Sequence, residues 1–303
     1  MTTLLAHAIC AALVVADLGA RTLRLRWLIA GTGQRLGVAE SLRTNLFADA
    51  GATLTPMRLG GEPARLASLR LARIPLHAIG VALSYEILTS WSVLALVGAG
   101  LAWRLAGRWL AEAGPALAAT AVGHRWAIIA VLALSLLAIR MAHRLRHRVG
   151  ARWSAPLREA IACWREVPAW TVAASAGLSL VNIATRTALL PVLVLSLPDP
   201  PQLPTLVLGS FLLVYGQLFL PTPAGAGAVE LGLLGGAAGA LGGQAATVLL
   251  AWRWWASGMT TLLGLVAAVR LRGWRNLFGR DTPPSPNPDL RVTCAAGDRH
   301  ERG

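Results

Sequence analysis

The sequence predicts an all-α, polytopic membrane protein with about five to eight transmembrane helices and two broken or re-entrant hairpins related by an inverted repeat. Three observations lead there. The 303-residue chain is 55% hydrophobic and only 14% charged, with a mean hydropathy of +0.57. Apolar runs close to the roughly 20 residues needed to cross a bilayer recur along it. Inside one apolar region lies Leu220-Pro221-Thr222-Pro223-Ala224-Gly225-Ala226-Gly227-Ala228-Val229-Glu230, with two prolines, two glycines and a carboxylate. A break at membrane depth is tolerated only where protein or a water-filled cavity shelters the backbone. A glutamate there is a functional candidate.

The formal net charge is +14, and all 28 basic residues are arginine. Nucleic-acid binding is not expected, because the arginines gather between apolar runs, as cytoplasmic loops require. Cys10, Cys163 and Cys294 show no metal or redox spacing. No metal or other cofactor is expected. The chain starts apolar, without a basic leader or a small-residue cleavage site, so the start reads as a first span.

In chain order, residues 3–18 form that span, and Arg21, Arg24, Arg26 and Arg35 a cytoplasmic loop. Residues 36–55 are apolar but carry Glu40, Arg43, Asn45 and Asp49. Arginines flank them on both sides, which favours a hairpin that dips in from the cytoplasm, turns at 56–62 and returns. An amphipathic interfacial helix is the plainer reading. Residues 76–103 run outward, 104–125 form an outer connection, and 126–142 return.

Residues 140–165 hold the densest arginine cluster, a cytoplasmic loop that attracts anionic headgroups. His143 and His147 have metal-ligand spacing, but the arginines around them repel a cation. Residues 167–197 are too long for one simple span and are expected to kink or break near Pro191. After an outer loop at 198–204 come 205–220, the break and 231–240. Residues 245–270 are the last span, holding Arg253 and three tryptophans. The domain reading is an integral membrane unit over 1–272, in halves 1–125 and 126–272, and a disordered cytoplasmic tail over 273–303.

Placing Pro56 on Pro223 brings Gly60 onto Gly227 and Glu62 within one position of Glu230. Two interrupted hairpins entering from opposite faces mark the site of an inverted-repeat transporter. A helix restarting after a Gly-rich break aims unpaired N–H groups and a positive dipole end at the break, which suits a phosphate. The candidate substrate-binding residues are therefore Arg58, Gly60, Gly61, Glu62, Arg65, Pro223, Gly225, Gly227, Glu230 and Arg253. The arginines and N–H groups would hold the phosphate, and Glu62 and Glu230 would pair with arginines. On the plainer reading, Arg58 and Arg65 lie at the headgroup level and the two glutamates only cap helices.

No metalloprotease, serine-hydrolase or P-loop motif is present, so no enzyme activity and no ATP-driven transport are expected. An intramembrane enzyme using Glu86 or Glu230 as acid or base has only unpaired carboxylates in its favour.

Two stretches resemble the lysylphosphatidylglycerol synthase transmembrane-region family, a flippase-like membrane domain. One is Arg24-Leu25-Arg26-Trp27-Leu28 together with Leu54-Thr55-Pro56-Met57-Arg58-Leu59-Gly60-Gly61-Glu62-Pro63-Ala64-Arg65. The other runs from Leu220 to Glu230, with Arg253 later in the chain. The resemblance covers about residues 1–270. Ala224 stands where the family often has glycine, Ala226 replaces a usual small or apolar position, and the family's Glu-Arg pair is reduced to Tyr85-Glu86. The family's soluble aminoacyltransferase domain has no counterpart here, so synthase activity is not carried over.

The resemblance implies a stand-alone, lipid flippase-like protein of a bacterial inner (plasma) membrane, multi-pass, with a cytoplasmic C-terminus. It would bind and translocate a phosphate-bearing lipid: a phospholipid, an aminoacyl lipid or a polyprenyl-phosphate carrier. The partners are membrane lipids with anionic headgroups, with homo-oligomerisation left open. The alternative is a non-transporting scaffold that binds a lipid- or glycan-modifying enzyme through residues 140–165.

Overall fold

The computed structural model describes residues 2–56, 58–123, 140, 161–198, 200, 202–217, 222, 225–227, 230 and 241–270. Among them the chain is all-helical. Its principal helices are α1 (Thr3–Gly31), α2 (Val38–Leu54), α3 (Gly61–Leu71), α4 (Leu76–Gly123), α5 (Ala169–Val194), α6 (Leu203–Gly216), α7 (Ala245–Arg253) and α8 (Met259–Arg270). Thr3–Gly31, Leu76–Arg104 and Ala169–Val194 are long and apolar enough to cross a membrane. The protein is thus a polytopic membrane protein, as the hydropathy pattern predicts.

α1 and α5 lie antiparallel along their whole length. Cys10 Sγ meets the Leu189 carbonyl, Asp17 meets Asn182, and Arg24 donates to Ser179. At the far end, Gly31 faces Thr171 and Val167. Apolar cores close both ends of the bundle. One joins Cys10 and Val14 to Leu189–Val194 and to Leu206, Val214, Val248 and Trp252. The other joins Leu25, Leu28 and Ile29 to Leu69, Ile74 and Ile79. Between them on α1 sit Asp17, Arg21 and Arg24, all buried.

α2 and α3 form the first hairpin. Thr55 Oγ1 closes the turn, donating to the Gly51 carbonyl (2.8 Å) and accepting from the Gly60 N–H (2.7 Å). A Cβ on Gly51 would come within 2.6 Å of the Gly60 carbonyl, so glycine lets the two backbones touch. α8 packs as tightly on the other side of α2: a Cβ on Gly264 would lie 2.1 Å from the Leu46 carbonyl. Thr261 bonds Thr53 (3.0 Å) in the same seam. Trp255 donates to His7 Nδ1 (2.9 Å), tying the C-terminal helices back to α1.

Four expectations are corrected. The first span does not stop at Leu18, because α1 continues through Arg21, Arg24 and Arg26 to Gly31. Arg21 and Arg24 have buried carboxylate partners, so their charges need not reach water. Residues 104–123 are not a loop but the continuation of α4, a helix of 48 residues. At about 72 Å, that helix is more than twice as long as a bilayer core is thick.

Nor is α5 broken at Pro191. Proline removes the N–H that would bond the Thr187 carbonyl, and Ser210 Oγ of α6 donates to that carbonyl instead (2.7 Å). The last span is not one regular helix: a π-helical turn, Trp254–Gly258, separates α7 from α8 directly after Arg253. The expected span 126–142, most of the arginine-rich stretch 140–165 with His143 and His147, residues 231–240 and the tail 273–303 lie outside the described residues.

Candidate functional site

Helical spacing builds a polar layer between the two apolar cores. Asp17, Arg21 and Arg24 occupy i, i+4 and i+7 of α1 and share one face. Ser175, Ser179, Asn182 and Arg186 do the same on α5. Ser41, Asn45 and Asp49 line one face of α2, and Glu86 and Ser90 lie one turn apart on α4. Asp17 is the midpoint of α1, and Asn182 lies at the middle of α5. The layer therefore crosses the two antiparallel helices at half their length.

Two linked ion-pair groups fill the layer. In the first, Arg21 grips Asp49 through both terminal nitrogens (2.8 and 2.9 Å), with Nε 3.1 Å from Asp17. Asp17 also accepts from Asn182 Nδ2 and from Arg186 Nε, the latter at 3.3 Å. In the second, Glu86 is shared by Arg24 and Arg65. Arg65 Nη2 donates to both of its oxygens (2.7 and 2.8 Å), and Arg24 Nη2 donates to Oε1. Arg24 Nη1 is held by Ser90 (3.0 Å) and Ser179 (2.9 Å).

The charges do not balance. Five guanidinium groups, those of Arg21, Arg24, Arg58, Arg65 and Arg186, meet three buried carboxylates, those of Asp17, Asp49 and Glu86. Glu62 adds a fourth 3.5 Å from Arg65, but its side chain is 54% exposed. Among the described residues the interior layer is net positive, which leaves room in its charge balance for an anion.

Of the predicted site residues, Arg58 sits in the α2–α3 turn at φ 59°, left-handed backbone that a residue with a β-carbon seldom adopts. Arg186 and Arg21 repel it, and Asp49 attracts it. Gly60 and Gly61 make the close contacts with Gly51 and Ala52. Glu62 opens α3. Arg65 is turned inward onto Glu86, its side chain only 11% exposed.

The described residues of the second predicted break give a smaller grouping. Gly225 (φ 68°) and Gly227 (φ 86°) take the left-handed conformations that their turn requires. Glu230 Oε2 accepts from the Gly227 N–H (2.6 Å), and its Oε1 accepts from Arg253 Nε (2.8 Å). Glu230 thus both closes the turn and pairs with Arg253. Arg253 also lies over the Trp252 ring, 5.5 Å from its centre. Pro223 lies outside the described residues.

Sequence reasoning missed Asp17, Arg21, Arg24, Asp49, Asn182 and Arg186 as members of the site. Arg21 and Arg24 were expected in a loop, because a run of arginines after an apolar segment is the usual sign of one. The signal that identifies them is helical spacing. Polar residues recur at three- and four-residue intervals in α1, α2 and α5 alike, and polar faces inside spans meet one another.

A family model described as the lysylphosphatidylglycerol synthase TM region matches residues 1–264. None of the curated proteins and none of the solved structures gives a match.

Proposed function

Because the chain belongs to the lysylphosphatidylglycerol synthase transmembrane-region family, a family of lipid-related membrane domains, we propose that it is a lipid flippase. It binds the phosphate of a lipid headgroup in the polar layer and carries that headgroup between leaflets. The observation that carries this reading is the layer itself: buried, net positive and set halfway along two antiparallel helices. A charged layer at that depth is costly unless it lines a route for a charged solute.

The two hairpins are re-entrant in this reading. α2, at 17 residues, and α3, at 11, are about 26 and 17 Å long, both shorter than a bilayer core. An apolar groove of about 390 Å³ runs between α4, α5 and α6, lined by Val97, Leu101, Ile183, Pro191 and Val207. It offers an acyl chain a path alongside the moving headgroup. On the positive-inside argument, the arginine-rich stretch and the C-terminus face the cytoplasm of a bacterial cell.

The test is reconstitution into vesicles carrying a fluorescent phosphoglycerol lipid, with an impermeant quencher added outside. We expect inner-leaflet fluorescence to disappear faster than in protein-free vesicles. Equal rates overturn the reading.

A further inference from the structure

We propose that Trp255 is a gate over the charged layer, latched shut by His7, and that a headgroup phosphate reaches Arg186 when the latch opens. The proposal deepens the flippase reading and rests on it for a lipid as the source of the phosphate.

A narrow crevice reaches the layer from the side of the α1 N-terminus. It is lined by Val14 and Asp17 of α1, by Arg186 of α5, by Trp255 of the π-helical turn and by Thr260 of α8. Its free volume is about 10 Å³, room for a water and not for a phosphate. Asp17 and Arg186 are joined to each other in its wall, Nε to Oδ2 at 3.3 Å. A solute that entered here would meet the charges of the layer directly.

Two of the walls are fixed. α1 and α5 are joined above, beside and within the crevice by Cys10 with Leu189, Asp17 with Asn182 and Asp17 with Arg186. The third wall is the π turn Trp254–Gly258, a kind of element frequent at functional sites. The helices on either side of that turn are anchored. Trp252 of α7 is buried in the apolar core, and α8 is pressed onto α2 at Gly264. The part of this wall that is free to move is the Trp255 side chain, which is half-buried.

One hydrogen bond holds that side chain in place. The Trp255 indole N–H donates to His7 Nδ1 at 2.9 Å. His7 lies about 15 Å along α1 from Asp17, on the face that also carries Val14. Trp255 therefore reaches from the crevice toward the α1 N-terminus and covers the way in. An indole nitrogen only donates, so the closed rotamer depends on His7 presenting an acceptor. Without that acceptor, the half-buried N–H gains by turning toward water.

Charge decides what passes. The first cation behind Trp255 is Arg186, and its partner Asp17 is shared with Arg21 and Asn182. Among the described residues the layer beyond is net positive, so it draws an anion and repels a cation.

Thiol labelling of the purified full chain tests this. The reporter is T260C in a C294S background, and the same protein without T260C is the blank. The probes are two water-soluble methanethiosulfonates, one bearing a sulfonate and one a trimethylammonium group. We expect slow labelling when His7 and Trp255 are intact. H7F should raise the rate by up to roughly tenfold, the weight of one lost hydrogen bond in the closed-to-open balance. H7N, whose amide oxygen keeps an acceptor, should stay near the starting rate. W255A should raise the rate at least as much as H7F. The sulfonate reagent should gain more than the cationic one. In vesicles carrying the fluorescent phosphoglycerol lipid, H7F should exchange lipid faster than wild type and H7N should not.

Unchanged labelling in H7F and W255A proteins of wild-type helicity and size overturns the proposal. Equal gains in H7F and H7N overturn the latch, and equal gains for the two reagents overturn the anion preference. Exchange that is unaltered in H7F takes Trp255 off the lipid path and overturns the gate. If labelling behaves as expected and neither wild type nor any variant accelerates leaflet exchange, the flippase reading fails and a latched crevice stands. If wild type accelerates exchange while no variant labels faster, the gate fails and the flippase reading stands.

Discussion

Glu86 holds two of the interior guanidiniums. Among the described residues it is the carboxylate that serves both Arg24 and Arg65. E86Q leaves two buried guanidiniums short of a carboxylate, and we expect a loss of about 3–5 kcal/mol of stability, read as a fall in the thermal unfolding midpoint in detergent. In the double variant R24Q/E86Q the two changes should cost less than their sum, because the partner left unpaired by each single change is gone. Glu230 depends on different contacts. E230A removes both the acceptor of the Gly227 N–H and the partner of Arg253. Faster hydrogen exchange at the Gly227 amide should follow, and E230Q should preserve more protection than E230A. Glu62 and Glu230 were identifiable from sequence because each stands beside a Pro/Gly break, and Arg253 because apolar sequence surrounds it. The roles of Arg21 and Arg24 were not, since a buried arginine and a loop arginine are the same letter until a partner is placed.

Among the elements, α5 and α2 illustrate two ways of tolerating a local rule violation. α5 carries Pro191 without breaking because Ser210 bonds the carbonyl that proline leaves free. S210A should therefore destabilise the protein by roughly 1 kcal/mol. In a P191A background the same change should cost almost nothing, because the alanine N–H then fills the Thr187 carbonyl. Unfolding measurements on the four proteins of that cycle decide it. α2 is clamped between α3 and α8 through glycines. G264A places a methyl 2.1 Å from the Leu46 carbonyl. The helices must separate, at a cost of roughly 1–3 kcal/mol or more, visible as a lower midpoint. Hairpin α2–α3 was legible from the apolar run, the Pro-Gly-Gly turn and the flanking arginines. The continuity of α4 past Arg104 was not, because Gly114-Pro115 and the charges around it resemble a loop in isolation.

Among the described residues, two large apolar cores lie on either side of one charged layer, and a smaller cluster holds Val81, Cys163 and Val167. Cys10 and Cys163 report on this packing from the two ends, since both are buried at 0% and 1% exposure. In a C294S background, neither should react with a maleimide until the protein unfolds globally. Labelling at a rate well above that of unfolding would show that the bundle ends open independently.

The sequence by itself determined the class of the protein: an all-α membrane chain with breaks at 56–62 and 220–230. Hydropathy, proline and glycine act over a few residues, and the bilayer imposes their meaning without help from the rest of the chain. Only the tertiary structure decided which charges are inside. Asp17 meets Arg186 across 169 positions, and Arg24 meets Glu86 across 62. Arg24 and Arg65 are neutralised inside the bundle only because Glu86 reaches them from another helix. The depth of α1, the continuity of α5 and the net positive layer therefore exist only once the helices have packed.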